Sequence, residues 1–248
     1  MHLFAQTNIQ LINQLRDKGY PVTEIGLVLT SYDLAIRLFT GRFRASGKTF
    51  IAHLVGTASI LASLRVSPTL VAAALIHAAY ESGDFGDGGV GISDTRRDLV
   101  RSVVGKEVEE YVARYTSLRW NKEAIPAIHG ELDALGPFDR GVLLIRLANE
   151  LEEYLDLGIL YCGDERRRQT NYVDHNGQLM VQMAEKLGFP ALGNGLESAF
   201  KEVAVADIPP LLRGPRAQNF SFVIVPRSYQ NLMEALAKRL KVTETAER

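Results

Sequence analysis

Apolar residues recur along most of this chain at helical rather than strand spacing. Leu3, Phe4, Leu11, Ile12 and Leu15 put one hydrophobic side on residues 3 to 18, and Gly19 with Pro21 ends the run. A second helix is expected over 23 to 39, with Leu27, Leu34, Ile36, Leu38 and Phe39 as its apolar positions. Two more, over 49 to 65 and 68 to 81, are divided by Ser67-Pro68, a dipeptide suited to a cap followed by the first helical position. Asp94 is expected to cap another helix. Others follow from Gly105 to about Ser117, over 121 to 134, from Pro137 without a break to about Tyr161, and near 169 to 187 and 191 to 202.

Two stretches depart from this pattern. Residues 82 to 93, SGDFGDGGVGIS, are too glycine-rich for a helix. No Gly-Lys-Ser/Thr ending and no preceding strand mark them as a phosphate cradle, so a surface loop acting as a flexible lid is expected. After Pro209-Pro210, Gly214 and Pro215, the segment NFSFVIVP alternates as a strand does, and SYQNLMEALAKRLK closes the chain as an amphipathic helix. A lone strand needs an edge to pair with, elsewhere in the chain or on a second copy, and a homo-oligomer through this strand is therefore one expectation. The pattern predicts an all-α fold: a helical domain over 1–205, then a linker, short strand and helix over 206–248.

Composition adds exclusions. The chain has 248 residues, 46% hydrophobic and 23% charged, with a net charge of -1. That balance advertises neither nucleic acid nor an anionic membrane as a partner. The amphipathic N-terminus reads as a first helix rather than a signal peptide, and no run approaches the ~20 apolar residues that span a bilayer. The single cysteine, Cys162, cannot form a disulfide within the chain and is read as an inert thiol; the expected location is the cytoplasm.

The candidate chemistry starts from two imidazoles on apolar helices, His53 in FIAHLVGTASIL and His77 in VAAALIHAAYE. Glu81 follows His77 by four residues, a spacing that stacks the two on one helix face. Asp84 and Asp87 lie in the following loop. Glu150, Glu152, Glu153 and Asp156 read as a solvated helix face, and Arg166, Arg167 and Arg168 as a solvated basic turn. Tyr115 and Trp120 read as packing. His2, His129 and the Asp174-His175 pair have no visible partner.

The order FRASGKTFIAHLVGTASILASLRVSPTLVAAALIHAAYES, VGKEVEEYVARYTSL and LLIRLANELEEYLDL, over about 37 to 160, resembles the HD-domain hydrolase module of RelA/SpoT-type alarmone enzymes. The resemblance implies an HD-domain-like helical bundle. It places His53 and His77 on the family's histidine ligands, and Arg44 and Ser46 on the turn that lies against the nucleotide base. It also shows what has changed. Ala78 stands where an aspartate should follow the second histidine, Ser82 replaces the second acid of a Glu-Asp pair, and Asn149 replaces the last aspartate ligand.

A hard divalent cation prefers anionic oxygen donors, and two imidazoles with a methyl group and an amide supply none. The expectation is therefore no cofactor. A divalent metal is disfavoured, and if one is held, His53, His77, Glu81 and Asn149 are the ligand set. The leading reading is a pocket that binds a small molecule, with His53, His77 and Glu81 as metal-free acid-base groups and Arg44, Ser46, Tyr80 and Asn149 as ligand-binding residues. The alternatives are a divalent-metal-dependent phosphohydrolase of nucleotide phosphates and a non-enzymatic ligand-sensing or partner-binding scaffold.

Overall fold

A computed structural model describes residues 4–162, 175–212, 222–225, 227, 230 and 231. It is an all-α bundle with one two-stranded sheet. The helices are α1 (Asn8–Asp17), α2 (Val22–Phe39), α3 (Phe50–Ser63), α4 (Pro68–Leu75), α5 (Ala79–Ser82), α6 (Asp94–Val104), α7 (Lys106–Ser117), α8 (Ala124–Glu131), α9 (Pro137–Tyr154), α10 (His175–Lys186) and α11 (Pro190–Val205).

The central element is α3. It runs through Leu54, Val55, Ala58, Ile60, Leu61 and Ala62, none more than 1% exposed, and its polar His53, Thr57 and Ser59 are buried as well, so it must be covered on nearly every side. α1, α2, α4 and α9 supply that cover, and α7 closes over α4 and α9. α10 and α11 pair with each other and dock on α9. Small residues set the close approaches. A Cβ on Gly141 of α9 would fall 2.6 Å from Tyr111 Cε1 and 3.0 Å from Leu70 Cδ2.

Several boundaries differ from the sequence expectation, each for a local reason. α1 begins only at Asn8, because Thr7 and Gln10 form a capping box there. Ser93, not Asp94, caps α6 by accepting from the Arg96 amide, leaving Asp94 in the first turn. The expected 68–81 helix breaks at Ile76–Ala78 and resumes as α5. The long helix from Pro137 ends at Tyr154. Beyond it a 3-10 segment, Leu155–Tyr161, carries Asp156 and Leu157 in the left-handed region at φ 55° and 58°.

The loop expected to be a lid is tied down. Arg96 donates from Nε to Asp87 Oδ2 (2.8 Å) and from Nη1 to the Gly91 carbonyl (2.7 Å), and it stacks over Phe85. Gly91 N–H donates to the Tyr80 carbonyl and Asp84 N–H to that of Leu38. The strand exists as β2 (Phe222–Val223). It pairs antiparallel, within the chain, with β1 (Arg42–Phe43) in the connection between α2 and α3, and Phe43 stacks on Phe222 at 5.3 Å. Most of SYQNLMEALAKRLK lies outside the described residues, as do His2, Asp174, Arg166, Arg167 and Arg168.

Candidate functional site

Capping brings the two histidines together. The Thr49 hydroxyl accepts from the Ala52 amide, which fixes the start of α3 and places His53 in its first turn. Ser67 starts α4 the same way, and His77 falls in the turn that ends it. Both rings are 1% exposed, and their centroids are 5.4 Å apart. Asn149, 2% exposed on α9, lies beside His53 and favours its protonated form. Burial outweighs this and pushes both imidazoles well below their ordinary pKa, with Arg44 and Lys48 pushing His53 further down and His53 doing the same to His77. Both rings are neutral at pH 7.

Each ring is held by Nδ1. His77 donates from Nδ1 to the Ala74 carbonyl at 2.7 Å. His53 Nδ1 meets a carboxylate oxygen of Glu152, whose other oxygen accepts from Lys48 Nζ. Burial pushes the Glu152 carboxyl up to about 7, and Lys48 and Arg44 pull it back. When ionised, Glu152 can only accept, so it then fixes the Nδ1–H tautomer of His53 and leaves the Nε2 lone pair uncommitted; below about pH 7, where it keeps a proton, it can donate to Nδ1 instead. That Nε2 is buried and has no hydrogen-bond partner. Gly56 makes room for the contact, since a Cβ there would lie 2.7 Å from Glu152 Oε1.

Glu152 thus belongs to the site and not to a solvated face. The same holds for Glu150, 3% exposed, which accepts from Arg146 Nη2 at 2.8 Å, and for Glu153, which pairs with Arg44. Part of the signal was in the spacing: Glu152 and Glu153 lie three and four residues after Asn149, and Glu150 four after Arg146, offsets that share a helix face. Arg146 was also missed. Its guanidinium lies 5.3 Å from the Trp120 ring and 5.7 Å from that of Tyr115, and it donates to the Tyr115 hydroxyl. Tyr115 in turn packs on His77 with centroids 4.7 Å apart, so the two aromatics do pack, but around a cation.

The Arg44–Lys48 turn is closed by Arg44 N–H to the Lys48 carbonyl, with Gly47 at φ +88°. It lies beside a pocket of about 290 Å³ whose wall includes Arg44, Ser46, Lys48, His53, Glu152 and Asp156. Glu81 stays exposed on α5. Crowding still raises its carboxyl, against the lowering pull of Arg146 and Arg44. The break at Ile76–Ala78 interrupts the helical stacking on His77 that its spacing suggested. Tyr80 turns elsewhere: its hydroxyl donates to the buried Glu109 at 2.8 Å, within a cluster that includes Arg97 and Arg101. Asp84 and Asp87 are occupied in their own loop.

Among the described residues no three His, Cys, Asp or Glu side chains converge as metal ligands. The one carboxylate in contact with the paired rings, Glu152, is engaged by His53 Nδ1 and Lys48, while Arg44 and Arg146 add positive charge.

Residues 36–119 match a family model described as a domain of unknown function (DUF6817). The chain is 24% identical over 225 residues to a GTP pyrophosphokinase of Streptomyces antibioticus, covering 87% of this chain and 25% of that protein. It is 27% identical over 219 residues to the bifunctional (p)ppGpp synthase/hydrolase SpoT of Escherichia coli, covering 83% of this chain and 29% of that protein. The chain therefore spans about a quarter of the length of these relatives. A solved structure described as a metazoan ortholog of SpoT that hydrolyzes ppGpp superposes with a TM-score of 0.50 at 20% identity, covering 75% of this chain and 99% of that one. No helix among the described residues is long and apolar enough to cross a membrane. The chain resembles the hydrolase module of RelA/SpoT-type enzymes in sequence and has its HD-type helical fold.

Proposed function

We propose that this chain is an HD-fold small-molecule pocket in which a carboxylate-held histidine, rather than a divalent metal, handles the proton. The observation that carries this reading is the Glu152–His53 pair, with Nε2 of His53 buried and unpartnered. In a bound complex Nε2 accepts a proton from a ligand hydroxyl or a water. Glu152 and its Lys48 partner then face an imidazolium that the carboxylate stabilises. His77 stays neutral beside it, and Asn149 offers an amide to the same space. The relatives direct the choice of probe toward guanosine compounds.

One observation favours a second reading, a metal-dependent nucleotide phosphohydrolase. Anchoring through Nδ1 with Nε2 left available is also how metal-binding histidines are held. One experiment separates the two. The gently purified full chain is analysed for Mn, Fe, Mg and Zn. Guanosine, GMP and guanosine-3′,5′-bis(diphosphate) are then tested in EDTA and in Mn²⁺, by melting shift and by phosphate release. The metal-free reading expects no stoichiometric metal and a guanosine-induced shift in EDTA that His53→Gln removes. Mn²⁺-dependent phosphate release that is lost in His53→Gln would overturn it.

A further inference from the structure

Three cations approach the paired histidines, and each is held by an acid from one helix. Arg44 pairs with Glu153, Lys48 with Glu152 and Arg146 with Glu150, all three acids lying on the last turns of α9. Glu152 and Glu150 have side chains only 2% and 4% exposed, so their pairing is made largely out of bulk water, where charge compensates strongly. Asp156 adds a further carboxylate to the pocket wall, and Glu81 stands within electrostatic reach of Arg44 and Arg146. Acids therefore outnumber cations around the pocket. A phosphate-rich ligand would have to break these pairs and then lie against the displaced carboxylates.

We infer that the pocket takes an uncharged polar small molecule and discriminates against polyphosphates, because α9 supplies one carboxylate for every cation that would otherwise bind phosphate. This inference rests on the metal-free reading, since a bound divalent ion would reverse the sign of the local field. Ser46, His53 and Tyr161 on the wall leave hydrogen-bonding groups for such a ligand. The specificity is written in α9, where Glu150, Glu152 and Glu153 follow Asn149 within four residues.

The test is calorimetric titration of the full chain with inorganic pyrophosphate in EDTA, for the wild type, for Glu152→Gln/Glu153→Gln and for Glu153→Gln alone. Millimolar pyrophosphate should leave the wild type without measurable binding. The double variant should bind at least about tenfold more tightly, as expected when two such pairs are released. Glu153 is the less buried of the two acids, so its single variant keeps the test alive if the double variant does not fold. Wild-type binding in EDTA that Arg44→Ala abolishes would overturn the inference, as would a folded variant that gains nothing. Repeating the titration in Mn²⁺ separates the failures. Wild-type binding that requires Mn²⁺ overturns the metal-free reading, while the EDTA titrations still decide the charge pairing.

Discussion

Glu152 shows how one residue can change the electrostatics of a site. Its carboxyl is pushed up to about 7 from an ordinary 4.5, chiefly by burial. Between those values the folded chain keeps a proton that the unfolded chain has released, so this group stabilises the fold increasingly as pH falls from about 7 to 4.5. His53 and His77 act in the opposite sense. Held neutral well below 6.5, they make the unfolded state the better proton acceptor, and stability is lost as pH drops below 6.5. Glu152→Gln removes the compensating proton. Its stability should fall with acid more steeply than that of the wild type, by about 1.4 kcal/mol per pH unit between pH 6.5 and 5. Urea unfolding at four pH values in that range reads the slope, and parallel profiles would reject the Glu152 assignment. The histidines were legible in the sequence because their motif order is distinctive. Glu152 was not, because two adjacent acids on a helix look solvated until the tertiary contact with α3 is known.

Among the elements, helix content was legible, and so were the ends marked by a cap or proline, as at Pro68, Lys106 and Pro137; the interruptions within the expected helices were not. The apolar period locates α2, α3, α7 and α9, since their buried faces obey local geometry. The break at Ile76–Ala78 has no glycine or proline to announce it, and the left-handed turn falls on Asp156 and Leu157 rather than on the adjacent Gly158. Both lie next to the site: the first carries His77, and the second follows directly on the acids of α9. Two glycines test how tightly the helices are set. Gly141→Ala pushes a methyl into Tyr111 and Leu70 where α9 meets α7 and α4, and should cost about 1–3 kcal/mol. Gly26 lies inside α2 with open space around its missing Cβ, so Gly26→Ala should instead raise stability by about 0.5–1 kcal/mol. Opposite shifts in the denaturant midpoint, at an unchanged m-value, are the expected outcome.

At the scale of the whole molecule, the question is how the residues after 205 are coupled to the site. The sequence left the partner of the strand open; in the structure β2 returns to β1, one residue before Arg44. Gly41 accepts from the Ile224 amide, and Phe222 stacks on Phe43, so the strand braces the start of the turn that carries Arg44, Ser46 and Lys48. It contributes little to the core, since Val223, Ile224 and Val225 remain 52%, 48% and 45% exposed. A two-stranded ribbon with so little burial has small stability of its own. Ending the chain at residue 212 should therefore leave the helical bundle folded while loosening the Arg44 turn. Hydrogen exchange resolves the two effects. Amides of residues 42 to 48 should lose protection by tenfold or more, while those of α3, α4 and α9 exchange as before. Any ligand held by the Arg44 turn should then bind more weakly at nearly unchanged melting temperature. Lost protection throughout α3 would instead mean that the segment after residue 212 supports the core, and the brace would have to be given up.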